Sequence, residues 1–138
     1  MSLHRLMCID YGEVRIGIAV SDPLQIISSP FSVISNHAET VFKELKNIIK
    51  TENVGKIILG LPLNLEGEDT DKTRQVRKFA ELLETEISIP LEFWDESYST
   101  VEANQALKQM GYDSKKSRTV VDKVAASIIL QDYLDQNK

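Results

Sequence analysis

Four carboxylates draw attention by where they fall in the chain. Asp10 closes the apolar run RLMCID, Asp95 and Glu96 close LEFWDE, and Asp122 opens the last helix-periodic segment. In open α/β sheets, ligands and reacting groups gather outside the carboxyl ends of parallel strands. Carboxylates brought together there repel and raise one another's pKa, a penalty that a bound cation removes. All-oxygen ligands suit Mg²⁺ or Mn²⁺. Two such ions about 4 Å apart activate a water and stabilise a leaving oxygen in phosphodiester hydrolysis. The pattern therefore predicts Asp10, Glu96 and Asp122 as catalytic metal ligands. Asp95 is either a further ligand or a group behind them. Neighbours in extended chain point to opposite faces, so the longer Glu96 is preferred of the pair. Each residue alone has a plainer reading: Asp10 as a turn residue, Asp122 as a charge at a helix N-terminus, Asp95 and Glu96 as a polar strand end. It is their convergence at one edge that points to chemistry.

Those positions require particular elements. Apolar alternation predicts antiparallel strands over 5–11 and 14–20 around Gly12-Glu13, with Ile16, Ile18 and Val20 on one face and Arg15, Gly17 and Ala19 on the other. A third short strand is expected at 31–35. Asn36 with Glu39 suggests a capped helix burying Val41, Phe42, Leu45, Ile48 and Ile49. The apolar run at 56–60 suits an interior parallel strand. A helix over about 71–84 buries Val76, Phe79, Ala80 and Leu83, and LEFWD forms a strand. Ser99 and Glu102 fit a capping box for a helix that Gly111 stops. The last helix, about 119–136, is expected to bury Val121, Val124, Ala125 and Ile128. The order β-β-β-α-β-α-β-α-α implies an α/β fold, a mixed five-stranded sheet flanked by helices on both faces.

The 138 residues, 42% hydrophobic and undivided by any linker-like stretch, suit a single domain over 1–138. The single cysteine excludes an internal disulfide and a Cys-based zinc site. No apolar run reaches membrane-spanning length, and no signal peptide opens the chain. A soluble cytoplasmic protein with no membrane partner is expected. A net charge of −5 argues against coating nucleic acid by charge alone. Residues 108–123 nevertheless carry +3, leaving −8 on the remainder. Lys115, Lys116 and Arg118 in that segment are candidate phosphate contacts, or else a solvated lysine-rich loop. Gly12 and Gly17 would let a substrate backbone approach the first hairpin, and both also read as ordinary turn and packing residues. Arg15 and Asn64 are candidates to orient a nucleic acid.

Four blocks, IDYGEVRIGIAVSD, ILGLPLNLEG, WDESYSTVEA and VDKVAASIILQDYLD, resemble in order and spacing the signature blocks of the YqgF (RuvX) family, covering about residues 6–134. The resemblance implies an RNase H-like fold related to Holliday-junction resolvases. It also implies metal-dependent nuclease chemistry, either on the 5′ end of pre-16S ribosomal RNA or on branched DNA. It carries the family's acidic positions to Asp10, Asp95, Glu96 and Asp122. Glu13-Val14 stand where members usually have Thr-Lys, Ser97-Tyr98 replace Arg-Leu, and Asn64 stands where relatives in the wider fold carry a carboxylate.

The leading expectation is an Mg²⁺- or Mn²⁺-dependent endonuclease on structured RNA, acting as a monomer or homodimer. A junction resolvase would need a symmetric dimer to cut two strands in register. A non-catalytic nucleic-acid-binding module of the same fold is the alternative that Glu13 and Ser97 favour. A nucleotide-binding reading rests only on the opening hairpin and lacks a second lobe.

Overall fold

The computed structural model describes residues 3–96 and 118–137, with 118–121 by backbone alone. The elements are β1 (Arg5–Asp10), β2 (Arg15–Ser21), β3 (Ser28–Ser35), α1 (Val41–Thr51), β4 (Val54–Leu61), α2 (Asp71–Glu86), β5 (Leu91–Asp95) and α3 (Arg118–Gln136). The helix expected before Gly111, its Ser99–Glu102 cap, Lys115 and Lys116 lie outside the described residues, as do the side chains of Arg118 and Val121.

The five strands form one sheet in the order β3-β2-β1-β4-β5. The meander β1-β2-β3 is antiparallel, and β1, β4 and β5 run parallel. Strand alternation divides the apolar residues between two layers. Met7, Ile9, Ile16, Ile18, Ile57 and Leu59 face α1 and α2, where Leu45, Val76 and Leu83 close the larger core. Leu6, Cys8, Ala19 and Ile58 face α3, which packs Ala126, Ile129, Leu130 and Tyr133 on them. The mixed sheet with helices on both faces is thus as expected. No helix among the described residues is long and apolar enough to cross a membrane.

Three local readings differ from expectation. Asn36 does not cap α1: its Nδ2 donates to the Gly12 carbonyl at 2.8 Å and its N–H to the Val14 carbonyl at 2.9 Å. It straps β3 to the tip of the β1-β2 hairpin, and α1 starts at Val41 without a side-chain cap. The cap appears on α2 instead, where Thr70 and Thr73 bond reciprocally and the Thr73 hydroxyl also donates to the Pro62 carbonyl. On α3 Ala125 is buried as expected, but the rest of the buried stripe runs through Ala126, Ile129 and Leu130, and Val124 and Ile128 are only half-buried. Apolar residues surround this helix over 124–130, so periodicity alone does not choose its inner face.

Gly17 has a packing reason. A Cβ there would collide with the carbonyl of Asp122, so the first turns of α3 rest directly on β2. The space is filled by the chain's own helix and is not a path for substrate. At Gly12 a Cβ would strike the Arg15 carbonyl, so that glycine serves the tightness of the turn. Gly17→Ala should push α3 off the sheet and cost about 1–3 kcal/mol, the usual range for overpacking. Chemical denaturation should show a lower midpoint with an unchanged slope.

Candidate active site

The carboxyl ends of β1 and β4 lie side by side, and there the acidic residues meet. Asp10 is the last residue of β1 and pairs with Gly17 of β2. The Glu96 N–H donates to the Leu61 carbonyl at 3.2 Å, continuing the β4–β5 pairing one residue past Asp95. Alternation then turns Glu96 to the α3 side of the sheet, as it turns Trp94, while Asp95 is exposed at the edge. The two neighbours thus point to opposite faces, as extended chain requires. Glu96 is 5% exposed. Its carboxyl lies over Gly60, where any Cβ would collide with Oε2.

Asp10 and Glu96 hydrogen-bond each other through their carboxyls. Burial, followed by the charge of Glu96, raises the Asp10 pKa well above the usual carboxylate range. Burial also raises that of Glu96, against the lowering effects of the Asp10 hydrogen bond and the Lys72 charge. Glu96 Oε2 is buried with no hydrogen-bond partner, and it alone has this status among the described side chains. An orphaned buried acceptor costs about 1–3 kcal/mol and is a donor atom still available to a ligand. Beneath the pair lies Cys8, fully buried, its thiol pKa raised by burial and then by the charges of Asp10 and Glu96.

The other expected residues are arranged differently. Asp122 sits close enough for its charge to act on Asp10, but its Oδ2 accepts a hydrogen bond from Arg15 Nε at 2.8 Å. Among the described residues no three Asp, Glu, His or Cys side chains close on one point as a cation cage. The structure brings Asp10 and Glu96 together, and it sets Asp122 beside them in an ion pair. Asn64 turns inward on its own loop: its Oδ1 accepts from the N–H groups of Glu66 and Glu68 at 3.0 and 2.8 Å.

Two contributors escaped the reading of the sequence. Gly60 makes room for the Glu96 carboxyl, and a glycine inside an apolar interior strand is a legible sign of close approach. Lys72, in the first turn of α2, places its charge on both buried carboxyls. It looks like any exposed helix lysine in the sequence and only the fold reveals its neighbours. Two buried carboxyls with an unclaimed oxygen are hard donors, and this donor set fits a divalent cation that takes oxygen ligands.

Comparison with known proteins agrees with this architecture. Residues 4–136 match the model of the RuvX family, described as Holliday junction resolvase. A protein of Maridesulfovibrio salexigens named "Putative pre-16S rRNA nuclease" is 43% identical over 131 residues, covering 94% of this chain and 97% of its own. One of the same name from Dictyoglomus thermophilum is 40% identical over 134 residues, covering 96% of each. Among solved structures, T. thermophilus RuvC in complex with Holliday junction substrate superposes with a TM-score of 0.59 at 11% identity, over 97% of this chain and 96% of that one. The Thermus thermophilus RuvC structure gives 0.54 at 10% identity, over 96% and 95%; at such identities the likeness concerns the fold. With a family model spanning nearly the whole length and close relatives of the same size, the chain belongs to the RuvX family.

Proposed function

We propose that this chain, acting as one domain, is a metal-dependent endonuclease that hydrolyses phosphodiester bonds in structured RNA, with the 5′ end of pre-16S rRNA as its substrate. The observation that carries the reading is the buried Asp10–Glu96 pair with its orphaned Oε2 at the carboxyl edge of the sheet. The relatives named as pre-16S rRNA nucleases support the substrate. The family description favours a second reading, resolution of a four-way DNA junction, which would need a dimer to cut two strands in register.

Asp10 and Glu96 would hold Mg²⁺ or Mn²⁺, with Asp122 and Asp95 as neighbouring acidic groups. The cation, when bound, supplies charge stabilisation at the phosphoryl oxygens and a nucleophilic water at neutral pH. The protein's own residues do the rest. Lys72 favours the ionised form of both carboxyls. Arg15 spends Nε on Asp122 and is half-exposed, so its remaining N–H groups can meet a phosphate. A phosphate that draws the guanidinium away frees Asp122 to turn toward Asp10, coupling substrate arrival to completion of the acidic cluster. Gly12 and Asn64 shape the turn and loop on either side, and Lys115, Lys116 and Arg118 are assigned phosphate contacts on charge alone.

Asp10→Asn should abolish cleavage of a structured pre-rRNA fragment in Mn²⁺. Changes behind metal ligands already cost 10–100-fold, so loss of a ligand should exceed about a hundredfold. Cleavage that survives the substitution, or that persists in EDTA, would overturn the assignment. A four-way DNA junction run in parallel decides between the two substrates.

The raised carboxyl pKa values also fix a pH dependence. Asp10 and Glu96 bind protons more tightly in the folded protein than in the unfolded chain. Stability from this pair is therefore present in mild acid and is lost as pH rises from the ordinary carboxylate range through the raised folded values. Asp22 and Asp69 pull the other way. Backbone N–H groups of the 22–27 turn lower the first, and a hydrogen bond from Arg77 lowers the second. The difference between wild type and Asp10→Asn isolates the pair. In EDTA the variant should melt higher than wild type at neutral pH, and the gap should close toward pH 4. Mn²⁺ should raise the Tm of wild type at neutral pH and leave the variant unmoved.

A further inference from the structure

A groove that neither carboxyl of the pair lines lies on the α2 side of the β1-β2 hairpin, near the same end of the sheet. It consists of two abutting cavities. The first, about 330 Å³, lies between the hairpin tip and the start of α2 and is lined by Glu13, Lys72 and Gln75 among others. The second, about 230 Å³, continues along α2 past Phe42, Lys78 and Phe79. Tyr11 and Gln75 line both, so the two adjoin. Tyr11 follows Asp10 directly in the chain, and Lys72 at the mouth acts on both buried carboxyls.

The groove has two kinds of wall. Lys72 and Lys78 are exposed on the same helix, six residues and about 9 Å of rise apart. Asp71, near the mouth, is engaged by Arg74, which leaves Glu13 as the opposing charge. Along the floor, the Tyr11 and Phe79 rings lie 4.9 Å apart, and Phe79 stacks on Phe42 at 5.6 Å. Paired cations beside an aromatic surface match an unpaired nucleotide strand, whose phosphates take the ammonium groups while a base lies on a ring. A duplex keeps its bases in its own stack and has less use for the rings.

The geometry points to this groove as the binding site for a single-stranded flank of the substrate, with Lys72 and Lys78 as phosphate contacts and Tyr11 and Phe42 as the surface for a base. The inference rests on the nuclease reading for its orientation, since the strand would leave the carboxyl pair along α2. Lys72 and Lys78 hold the strand here, and Lys72 in addition bears on the carboxyl pair through its charge.

The test is binding in EDTA, where nothing is cut. Fluorescence anisotropy would follow a 12-nucleotide single-stranded RNA, the DNA of the same sequence and the matching duplex. The double variant Lys72→Met with Lys78→Met should weaken single-strand binding about fivefold to tenfold and lower the salt slope by about 1.4, the loss of two contacts. Duplex binding should stay as in wild type, and Lys78→Met alone, which leaves the charge beside the carboxyls in place, should show part of the single-strand loss at an unchanged melting temperature. Glu13→Gln should tighten single-strand binding, which a purely structural role for the groove would not produce. Equal loss with RNA and DNA marks a site for any unpaired strand; loss confined to RNA marks one that reads the ribose. Single-strand affinity and salt slope unchanged in the double variant, or a loss equal for duplex and single strand, would overturn the groove. Cleavage by wild type, assayed separately with Mn²⁺, keeps the two ideas apart. Cutting with an unaltered double variant sinks the groove and leaves the nuclease; weakened binding without any cutting does the reverse.

Discussion

The seating of α3 on β2 is the constraint on which the rest of the molecule depends. A helix backbone can meet a sheet this closely only where the strand offers no side chain, and Gly17 provides that point, with Ala19 next along the same face. The small Ala125 and Ala126 let the helix stay down along its length. From this one contact follow the burial of Leu6, Cys8 and Ile58 beneath the helix, the placement of Asp122 beside Asp10, and the exclusion of water from the Glu96 carboxyl. A helix standing further off would leave the acidic edge hydrated and the second core layer unfilled.

That arrangement conflicts with stability, and the conflict is informative. Burying two carboxyls against each other is unfavourable unless they are neutralised, paired or ligated. Here they share a hydrogen bond, one oxygen is orphaned, and the cation acting on both is a single exposed lysine from another element. Elsewhere the described residues satisfy their buried side-chain polar groups. The Asp22 carboxylate accepts from three backbone N–H groups. Lys56 donates to both Glu92 and Tyr133. The deficit confined to the sheet edge is what a site poised for a ligand looks like.

How much of this was legible in the sequence depended on the range of the interaction. The face of each strand, and hence the inward turn of Glu96 against Asp95, follows from a period of two that any short apolar run reveals. The fold class followed from the order of elements. The Arg15–Asp122 pair joins residues 107 positions apart, and nothing local to either announces the other. Lys72 is invisible for the same reason. Asn36 misled because a residue good at capping is equally good at bonding a nearby turn, and its neighbour in space, Gly12, lies in the β1-β2 turn, 24 positions away. The inner face of α3 was unreadable because its apolar residues surround the helix, so the sheet's shape chose the face. Gly60 could have been read from its place inside an apolar strand.

The buried Cys8 has a consequence of its own. It is the chain's single thiol, it lies fully inside, and both burial and two adjacent carboxyls hold it in the protonated form. Oxidants and alkylating agents attack the thiolate of accessible cysteines, so neither reaches this thiol. The thiol beneath the acidic centre is thereby shielded: it needs no reductant to stay a thiol, and thiol reagents should leave the carboxyl pair undisturbed.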